Sequence, residues 1–330
     1  MPSLTDNLSD RVAVETLKGL ARARKATDLM LSRRDRSLPQ LAQLRNFNVE
    51  GAVGPLAARL YVPHGAAEAG PMLVFFHGGG FVLGDLETHD AFCVRMADAA
   101  KVRVLACRYR LAPEAPYPAQ LDDALAAFRW IAVRAGEFGA DANALALGGD
   151  SAGGYLAVAA TAKLNAETPG AVKAQVLIYP LLTLDDDVWA SSLLQDARVV
   201  GRLAVQFIRA QLATTEAPSL LGTLTEKAPP TLLVAGGPLD PCRPDALTYA
   251  QALTAAGVPF EERYYTAQPH GFINLTHLSA PAREAVAEIG VLTGNLLRRV
   301  SGGGLSSRGH RPDDGVDVSE DTFQEQRHGE

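Results

Sequence analysis

Short apolar runs recur along the central part of the chain, and stretches with helical spacing of apolar residues separate them. Continuous runs, typical of strands covered on both faces, lie at 72–76, 102–106, 144–147, 175–179 and 231–235. Further strand patterns lie at 47–50, 57–62 and 260–266. The helical patterns lie at 90–100, 120–135, 152–164 and 244–256. This alternation predicts an α/β fold with a mostly parallel central sheet and helices on both faces.

Two stretches fall outside this alternation. Residues 4–35 carry apolar residues at helical spacing among Arg, Lys and Asp, so we expect helices there. Residues 181–229 contain one helix-like run, at 202–212, and no strand pattern. We expect this insertion to cover one end of the sheet and to meet the N-terminal helices. The alternative is a plain crossover connection between two strands.

The composition is that of an ordinary globular protein and argues against nucleic acid as a partner. Apolar residues make up 47% and charged residues 21% of the 330 residues. The 31 Lys and Arg against 37 Asp and Glu give a net charge of −6, whereas nucleic-acid-binding proteins present a basic face. Residues 301–330 are acidic, rich in Gly and Ser, and nearly lack large apolar residues. We therefore expect a disordered tail there.

Cysteine usage and hydropathy favour a reducing compartment. The three cysteines, Cys93, Cys107 and Cys242, are odd in number and widely spaced, which does not suggest a disulfide framework. The first residues include acids and lack the apolar core of a secretory signal. No apolar stretch approaches the about 18 residues that a membrane-spanning helix needs. We expect a cytoplasmic protein with no stable membrane insertion.

A serine lies in a glycine-rich turn between a predicted strand and a predicted helix. The turn reads Gly148-Gly149-Asp150-Ser151-Ala152-Gly153-Gly154, and it contains the Gly-x-Ser-x-Gly pattern of a nucleophile elbow. The N-terminus of the following helix favours negative charge that develops beside the hydroxyl. The pattern predicts that Ser151 is a nucleophile, and the alternative is a turn of no chemical use. No P-loop lysine and no dinucleotide-binding glycine pattern accompany it.

A second glycine-rich turn, His77-Gly78-Gly79-Gly80-Phe81, directly follows the strand pattern at 72–76. Consecutive glycines are costly unless the backbone must adopt an unusual shape or approach a ligand closely. We expect N–H groups of this turn to form an oxyanion hole and His77 to brace the loop. A merely flexible loop is the alternative.

An activated serine needs a general base. Of the seven histidines, His270 follows the strand pattern at 260–266, at the end of the sheet where ligands bind in open α/β folds. We expect it to be the base. His64 and His89 precede the serine and flank a predicted strand and a predicted helix start, and His277 is interpreted as a surface or packing residue.

The base in turn needs a carboxylate that orients it, placed between the serine and the histidine along the chain. Asp240 follows the strand pattern at 231–235 and is the predicted partner. Asp245 begins a predicted helix, where an aspartate usually acts as a cap, and it is the alternative partner.

These motifs occur together in one order along the chain. They are His77-Gly78-Gly79-Gly80-Phe81, Tyr109-Arg110-Leu111-Ala112-Pro113-Glu114, Gly149-Asp150-Ser151-Ala152-Gly153-Gly154, Asp240-Pro241 and His270-Gly271-Phe272. In this order and spacing the sequence resembles the hormone-sensitive-lipase branch of the α/β-hydrolase superfamily, the bacterial family IV esterases. The resemblance covers nearly all of residues 45–290.

The resemblance implies an α/β-hydrolase fold with a helical cap. Residues 1–45 would form its N-terminal part, and residues 46–300 the catalytic domain, with a cap insertion at about 181–229. It implies Ser151 as nucleophile, His270 as general base and then acid, and Asp240 as its partner. The remaining implied site residues are the oxyanion-hole donors Gly79, Gly80 and Ala152 and the supporting residues His77, Gly78 and Asp150.

The sequence departs from the family pattern near the predicted site. Tyr155 stands where the family usually has Asn, and Cys242 stands where it usually has Leu. Pro244-Asp245 replaces a common acidic pair. None of these departures removes a predicted catalytic group, but each changes the surroundings of the pocket.

The expected activity is hydrolysis of short- to medium-chain carboxylic esters through an acyl-enzyme intermediate. The low aromatic content of 6% and the lack of a long apolar stripe argue against long triacylglycerols. Two alternatives stay open: amide, formamide or lyase chemistry at the same site, and a non-catalytic small-molecule receptor. No clustered His and Cys spacing indicates a metal, so we expect neither metal nor cofactor. The sequence leaves open whether the chain forms a homodimer.

Overall fold

The computed structural model describes residues 37–184, 206–212, 219–221 and 228–302, together with residues 19, 22 and 24–26. One sheet contains the strands β1 Gln43–Glu50, β2 Pro55–Val62, β3 Gly70–Phe76, β4 Arg103–Cys107, β5 Ala140–Asp150, β6 Ala174–Ile178, β7 Thr231–Ala235 and β8 Phe260–Tyr264. Their order is β1-β2-β4-β3-β5-β6-β7-β8. β2 pairs antiparallel with both β1 and β4, and all other neighbours pair parallel. The predicted mostly parallel sheet is confirmed.

Five α-helices whose two ends both lie within the described residues connect or follow the strands. They are α1 Asp90–Ala100, α2 Ala119–Val133, α3 Ala152–Glu167, α4 Arg243–Ala255 and α5 Ala280–Ser301. The first four match the predicted helices to within a few residues, whereas α5 was not predicted. It begins at Ser279, whose hydroxyl accepts the Ala282 N–H at 3.2 Å, and it has a proline in its first turn. Ala135–Phe138 and Phe272–Leu275 form short 3₁₀ helices.

The sheet separates two apolar cores because successive side chains of each strand point to opposite faces. In β3, Leu73 and Phe75 face the core that contains α1 and α5. Val74 and Phe76 face the core that contains α2, α3 and α4. All four side chains are completely buried. Burial of each such side chain stabilises the fold by about 1.5–3 kcal/mol, so β3 is held from both faces.

The parallel strands bring the predicted motifs to one edge of the sheet. The turn with His77 follows β3, and the turn with Ser151 follows β5, its neighbour. Asp240 and His270 follow β7 and β8, which also pair with each other. Because all four strands run in the same direction, their carboxyl ends lie along the same edge.

Several predicted regions lie wholly or largely outside the described residues. Of the predicted N-terminal helices at 4–35, residues 19, 22 and 24–26 are described and are helical. In the insertion, residues 206–212 form a helix, as the run at 202–212 predicts. Most of the remaining insertion and the predicted tail beyond residue 302 lie outside the described residues. In the described parts of the chain, no helix combines the length and the apolar character needed to cross a membrane.

Candidate active site

Ser151 lies in a sharp turn between β5 and α3, where its backbone is strained. Its φ of 51° and ψ of −117° lie outside the regions that an L-residue normally occupies. The Ser151 N–H donates to the Ile178 carbonyl at 3.0 Å, which anchors the turn to β6. A Cβ at Gly153 would collide with the Phe76 carbonyl, so strand and helix pass this closely only because that position is glycine. The turn thus holds the Ser151 hydroxyl out of both elements.

A continuous hydrogen-bonded chain joins Ser151, His270 and Asp240. The His270 Nε2 lies 3.0 Å from the Ser151 Oγ, and the His270 Nδ1 lies 2.7 Å from the Asp240 Oδ1. The Tyr179 ring packs against the imidazole with ring centres 4.6 Å apart. The histidine is therefore held by a hydrogen bond at one nitrogen and by an aromatic face.

The carboxylate of Asp240 is fixed by the backbone around it. Its Oδ2 accepts the Gly236 N–H at 3.1 Å, and its Oδ1 accepts the Cys242 N–H at 2.9 Å as well as the imidazole. A carboxylate oxygen accepts hydrogen bonds, so the His270 Nδ1 carries the proton between them. In the neutral ring the Nε2 then has a free lone pair facing Ser151, which is the form that a general base requires.

Asp245, the alternative partner of the histidine, faces another part of the chain. Its Oδ2 accepts the N–H groups of Leu182 and Thr183 at 2.6 and 3.0 Å. It therefore does not cap the first turn of α4, and the cap interpretation is wrong. The helix begins after Cys242 without a side-chain cap, and Asp245 instead anchors the segment that leads into the insertion. Burial raises the pKa of Asp245 to about 7.

The glycine-rich turn after β3 presents unpaired backbone donors. Gly79 and Gly80 have φ values of 114° and 62°. Their N–H groups, and that of Ala152 at the start of α3, donate to no acceptor among the described residues. The Gly78 N–H points elsewhere and donates to the Asp150 Oδ1 at 2.7 Å. The loop is thus anchored at Gly78 and leaves the next two amides available.

His77 braces this loop from below. Its ring stacks on Tyr109 with centres 4.4 Å apart, and its Nδ1 lies 2.8 Å from the Gly78 carbonyl. The Tyr109 hydroxyl donates to the His77 carbonyl at 2.8 Å. Burial and the neighbouring His89 lower the pKa of His77 to about 4, so the ring is neutral at pH 7.

Asp150 is a buried carboxylate beside a histidine that the sequence analysis did not select. Burial alone raises its pKa, but His89, the Gly78 N–H and His77 outweigh that effect, and the pKa lies below its usual value. The His89 Nε2 lies 3.2 Å from the Asp150 Oδ1, and both side chains are 4% exposed. The proximity of His89 and Asp150 follows from the packing of the turn before α1 against β5, so no local sequence signal indicated it.

Two segments from outside the sheet contact the glycine-rich loop at 77–82. A Cβ on Gly80 would lie 3.0 Å from the Ile208 side chain, so the helix at 206–212 packs directly against the loop. Arg24, in the N-terminal segment, donates to the Val82 carbonyl at 2.8 Å and pairs with Glu114 at 2.6 Å. Arg24 and Glu114 were not selected from the sequence, although Glu114 lies within one of the family motifs.

Tyr155 and Cys242, two of the residues that depart from the family pattern, are buried next to the site. Tyr155, one turn along α3 from Ser151, packs edge-on against Phe81 and Tyr117 with ring centres 5.6 and 6.4 Å apart. Phe81 belongs to the glycine-rich turn after β3, so this cluster joins that turn to α3. Cys242 is buried two residues after Asp240. All three cysteines of the chain are free thiols.

Among the described residues, one group of three side chains has the spacing of metal ligands. One ligand atom each from Asp240, Cys242 and His270 lie within 4.8 Å of one another. Two of these atoms already share a hydrogen bond, and burial raises the pKa of the Cys242 thiol well above its usual value. A protonated thiol is a poor metal ligand. The arrangement therefore favours proton transfer over metal binding.

Comparisons with known proteins identify a fold family for this chain and relatives that are named as ester hydrolases. A family model described as an α/β-hydrolase fold matches residues 73–274. Esterase LipI of Mycobacterium tuberculosis is 33% identical over 311 residues, 86% of this chain and 96% of that protein. Ethyl acetate hydrolase of Pseudomonas putida is 33% identical over 71% of this chain and 76% of that protein.

One solved structure matches this chain over nearly the whole length of the solved protein. EstE1, a thermophilic carboxylesterase cloned from a metagenomic library, matches 84% of this chain and 97% of its own, with a TM-score of 0.76 and 29% identity. The chain belongs to the α/β-hydrolase superfamily, in the hormone-sensitive-lipase-like branch of esterases.

Proposed function

We propose that the protein is a serine carboxylesterase that hydrolyses short- to medium-chain esters through an acyl-enzyme intermediate. The observation that carries the proposal is the hydrogen-bonded chain from Ser151 through His270 to Asp240, with distances of 3.0 and 2.7 Å. The relatives named as esterase and ethyl acetate hydrolase support an ester as the substrate class.

In the first half of the reaction Ser151 is acylated. The His270 Nε2 takes the hydroxyl proton while the Ser151 Oγ attacks the ester carbonyl carbon. The N–H groups of Gly79, Gly80 and Ala152 stabilise the oxygen that becomes negative. The tetrahedral intermediate then collapses, the bond to the alcohol oxygen breaks, and His270 protonates the departing alcohol.

In the second half a water molecule replaces the alcohol. His270 takes a proton from the water as its oxygen attacks the acyl carbon, and the same donors stabilise the second oxyanion. Collapse returns the proton to Ser151 and releases the carboxylic acid. Asp240 keeps the His270 Nδ1 protonated and stabilises the imidazolium that forms in each half.

Residues around the oxyanion loop support a limited acyl pocket. The rings of Phe81, Tyr117 and Tyr155 pack against one another beside the turn, and the Ile208 side chain packs against Gly80. A long acyl chain needs a continuous apolar channel, and bulky side chains so close to the proposed oxyanion donors favour a smaller acyl group. We therefore place the substrate among short- and medium-chain esters.

We also propose that a helical cap formed by the N-terminal segment and by the insertion at about 181–229 covers the site. The predicted boundary at residue 45 is wrong by a few residues, because β1 of the sheet already begins at Gln43. Support comes from Arg24, which bonds to Val82 and Glu114, and from the helix at 206–212 that packs on Gly80.

The three buried free cysteines support a reducing, cytoplasmic location. Fractionation of the source cells tests that location.

Initial rates on p-nitrophenyl esters from acetate to palmitate, for wild type and Ser151→Ala, test the activity. We expect rates that peak at short or medium chains and fall by about 10⁴-fold or more in Ser151→Ala. Ser279→Ala is the matched control: it removes a hydroxyl that caps α5, so it should lower stability and leave turnover unchanged.

The matching p-nitroanilides separate ester from amide chemistry. Ester turnover with little or no anilide turnover supports the proposal. Serine-dependent turnover of the anilides alone would move the assignment to an amidase, and no serine-dependent turnover of either series would contradict an acyl-transfer enzyme.

A further inference from the structure

His89 is a buried polar residue that touches two parts of the proposed catalytic machinery without contacting substrate. Its Nε2 lies 3.2 Å from the Asp150 Oδ1 in the turn that carries Ser151. The same nitrogen lies 3.3 Å from the Asn274 amide, four residues beyond His270. Although His89 directly precedes α1, its side chain makes no cap hydrogen bond to that helix. The polar contacts of the His89 Nε2 are therefore made with residues of the proposed site and not with its own helix.

The hydrogen-bond partners of His89 determine which of its two ring nitrogens carries the proton. A carboxylate oxygen accepts, so the Nε2 that faces Asp150 must carry a proton. Asn274 is compatible with this assignment: its Oδ1 has no partner among the described residues, and exchange of the amide oxygen and nitrogen places an acceptor against the same Nε2–H. The His89 Nδ1 lies 2.9 Å from the Thr88 hydroxyl oxygen, and this contact fixes the orientation of the ring.

Asp150 connects this ring to the oxyanion loop. The Oδ1 that faces His89 also accepts the Gly78 N–H at 2.7 Å, and a Cβ on Gly78 would collide with the same carboxylate. A buried carboxylate that loses one donor relaxes toward other polar groups, because an uncompensated buried charge is costly. His77 cannot replace the lost donor, because its Nδ1 lies 2.8 Å from the Gly78 carbonyl and directs its proton to that oxygen. The placement of Gly78 therefore depends on His89.

We propose that His89 is a positioning residue for the oxyanion hole. Its Nε2–H holds the Asp150 carboxylate in the orientation that fixes Gly78, and through Gly78 it places the free amides of Gly79 and Gly80. The contact with Asn274 ties the same ring to the loop that carries His270. This inference rests on the proposed esterase function, because the hole matters only if an oxyanion forms.

The test compares His89→Gln with His89→Asn. The glutamine amide nitrogen reaches the position of the imidazole Nε2, whereas the asparagine amide stops near the position of Nδ1. We expect His89→Asn to lower kcat by about 10- to 100-fold with KM changed less than threefold, because displaced oxyanion donors act in the transition state. His89→Gln should recover most of the rate.

A trifluoromethyl ketone, which forms a tetrahedral adduct with an oxyanion, supplies the second measurement. Its affinity should fall in His89→Asn by the same factor as kcat/KM, while the thermal midpoints of the Gln and Asn variants stay close together. A merely structural role would lower stability without a matched loss of inhibitor affinity. Equal rates in the Gln and Asn variants, or unchanged inhibitor affinity, would contradict the proposal.

Thr88→Val decides the case if His89→Asn does not fold. It removes the hydroxyl that contacts the ring, together with that hydroxyl's two hydrogen bonds to Asp85, and it leaves Asp150 and Gly78 unchanged. A several-fold loss of kcat with a matched loss of trifluoromethyl ketone affinity is expected, and an unchanged kcat or an unmatched loss would contradict the inference. Wild type and Ser151→Ala run in the same assay. Absence of serine-dependent turnover in wild type overturns the esterase function, whereas normal wild-type turnover with an unaffected His89→Asn overturns only the role of His89.

Discussion

The proposed mechanism uses two sides of Ser151 that are built in different ways. On the proton-transfer side, His270 and Asp240 act through their own side chains, and the His270 side chain is 29% exposed. On the oxyanion side, the donors belong to the backbone, and the side chains that hold them, Asp150 and His89, are each 4% exposed. A base that exchanges protons with alcohol and water needs access, whereas backbone donors need a rigid support. The comparison therefore predicts separate effects for mutations on each side.

The largest effect is expected on the proton-transfer side, at Asp240. Asp240→Asn keeps the shape but removes the carboxylate that keeps the His270 Nδ1 protonated, and we expect turnover to fall by about 10⁴-fold. Asp245→Asn, five residues later, should change turnover less than threefold, because Asp245 contacts Leu182 and Thr183 and not His270. Steady-state rates on p-nitrophenyl butyrate measure both. Equal losses, or the reverse order, would contradict the assignment of the partner.

A smaller effect is expected on the oxyanion side, at Gly78. The added methyl of Gly78→Ala would meet the Asp150 carboxylate and push the loop out of place, so we expect kcat to fall by about 10²-fold or more. Gly136→Ala is the control, since a Cβ there meets nothing within 4 Å. Wild-type turnover in Gly78→Ala would show that the anchored loop does not support the oxyanion.

The smallest effect concerns stability near the site and has no expected effect on the chemistry. Burial raises the pKa of Asp245 from about 3.8 to about 7, so between these pH values the folded chain binds more protons than the unfolded chain. Its contribution to the free energy of unfolding is therefore greatest below about pH 4 and declines as the pH rises to about 7. Asp245→Asn keeps an oxygen for both N–H groups and has no proton to lose.

Denaturant unfolding of the wild type and Asp245→Asn from pH 4 to pH 8 measures this effect. The difference in the free energy of unfolding should shift in favour of the variant as the pH rises toward 7 and then level off. Asp245→Ala should lose about 1–3 kcal/mol across the range, because it leaves two buried N–H groups unpaired. A constant difference between wild type and Asp245→Asn would contradict a raised pKa.

Elements with strong local signals could be predicted from the sequence, and these include all eight strands. Continuous apolar runs such as 72–76 mark strands covered on both faces, and the turns that follow carry glycines required by the backbone. The same local signals predicted that Ser151, Asp240 and His270 would lie at one edge of the sheet. Periodicity and motif order were sufficient because each strand and each turn depends on residues close together in the chain. The parallel sheet then brings the ends of distant strands to one edge.

Features that depend on distant contacts were missed. α5 contains Gly290 and Gly294, which weaken the helical pattern but allow close packing against Ala99 and Ala100 of α1. His89 looked like an ordinary residue at a helix start, because its neighbour Asp150 lies 61 positions further along the chain. Asp245 was interpreted as a helix cap for the same reason. In each case the contact is made between residues that are far apart in the chain, so the spacing of nearby residues does not indicate it.

The central claim is that the Ser151 oxygen attacks the substrate when His270 accepts its proton. Treatment with diethyl p-nitrophenyl phosphate tests it directly, because attack forms a bond from oxygen to phosphorus and expels p-nitrophenolate. Mass spectrometry should find one diethylphosphoryl group per chain, on Ser151, with activity lost in proportion and no adduct in Ser151→Ala. Labelling at another residue, or full ester turnover by the labelled protein, would contradict the account.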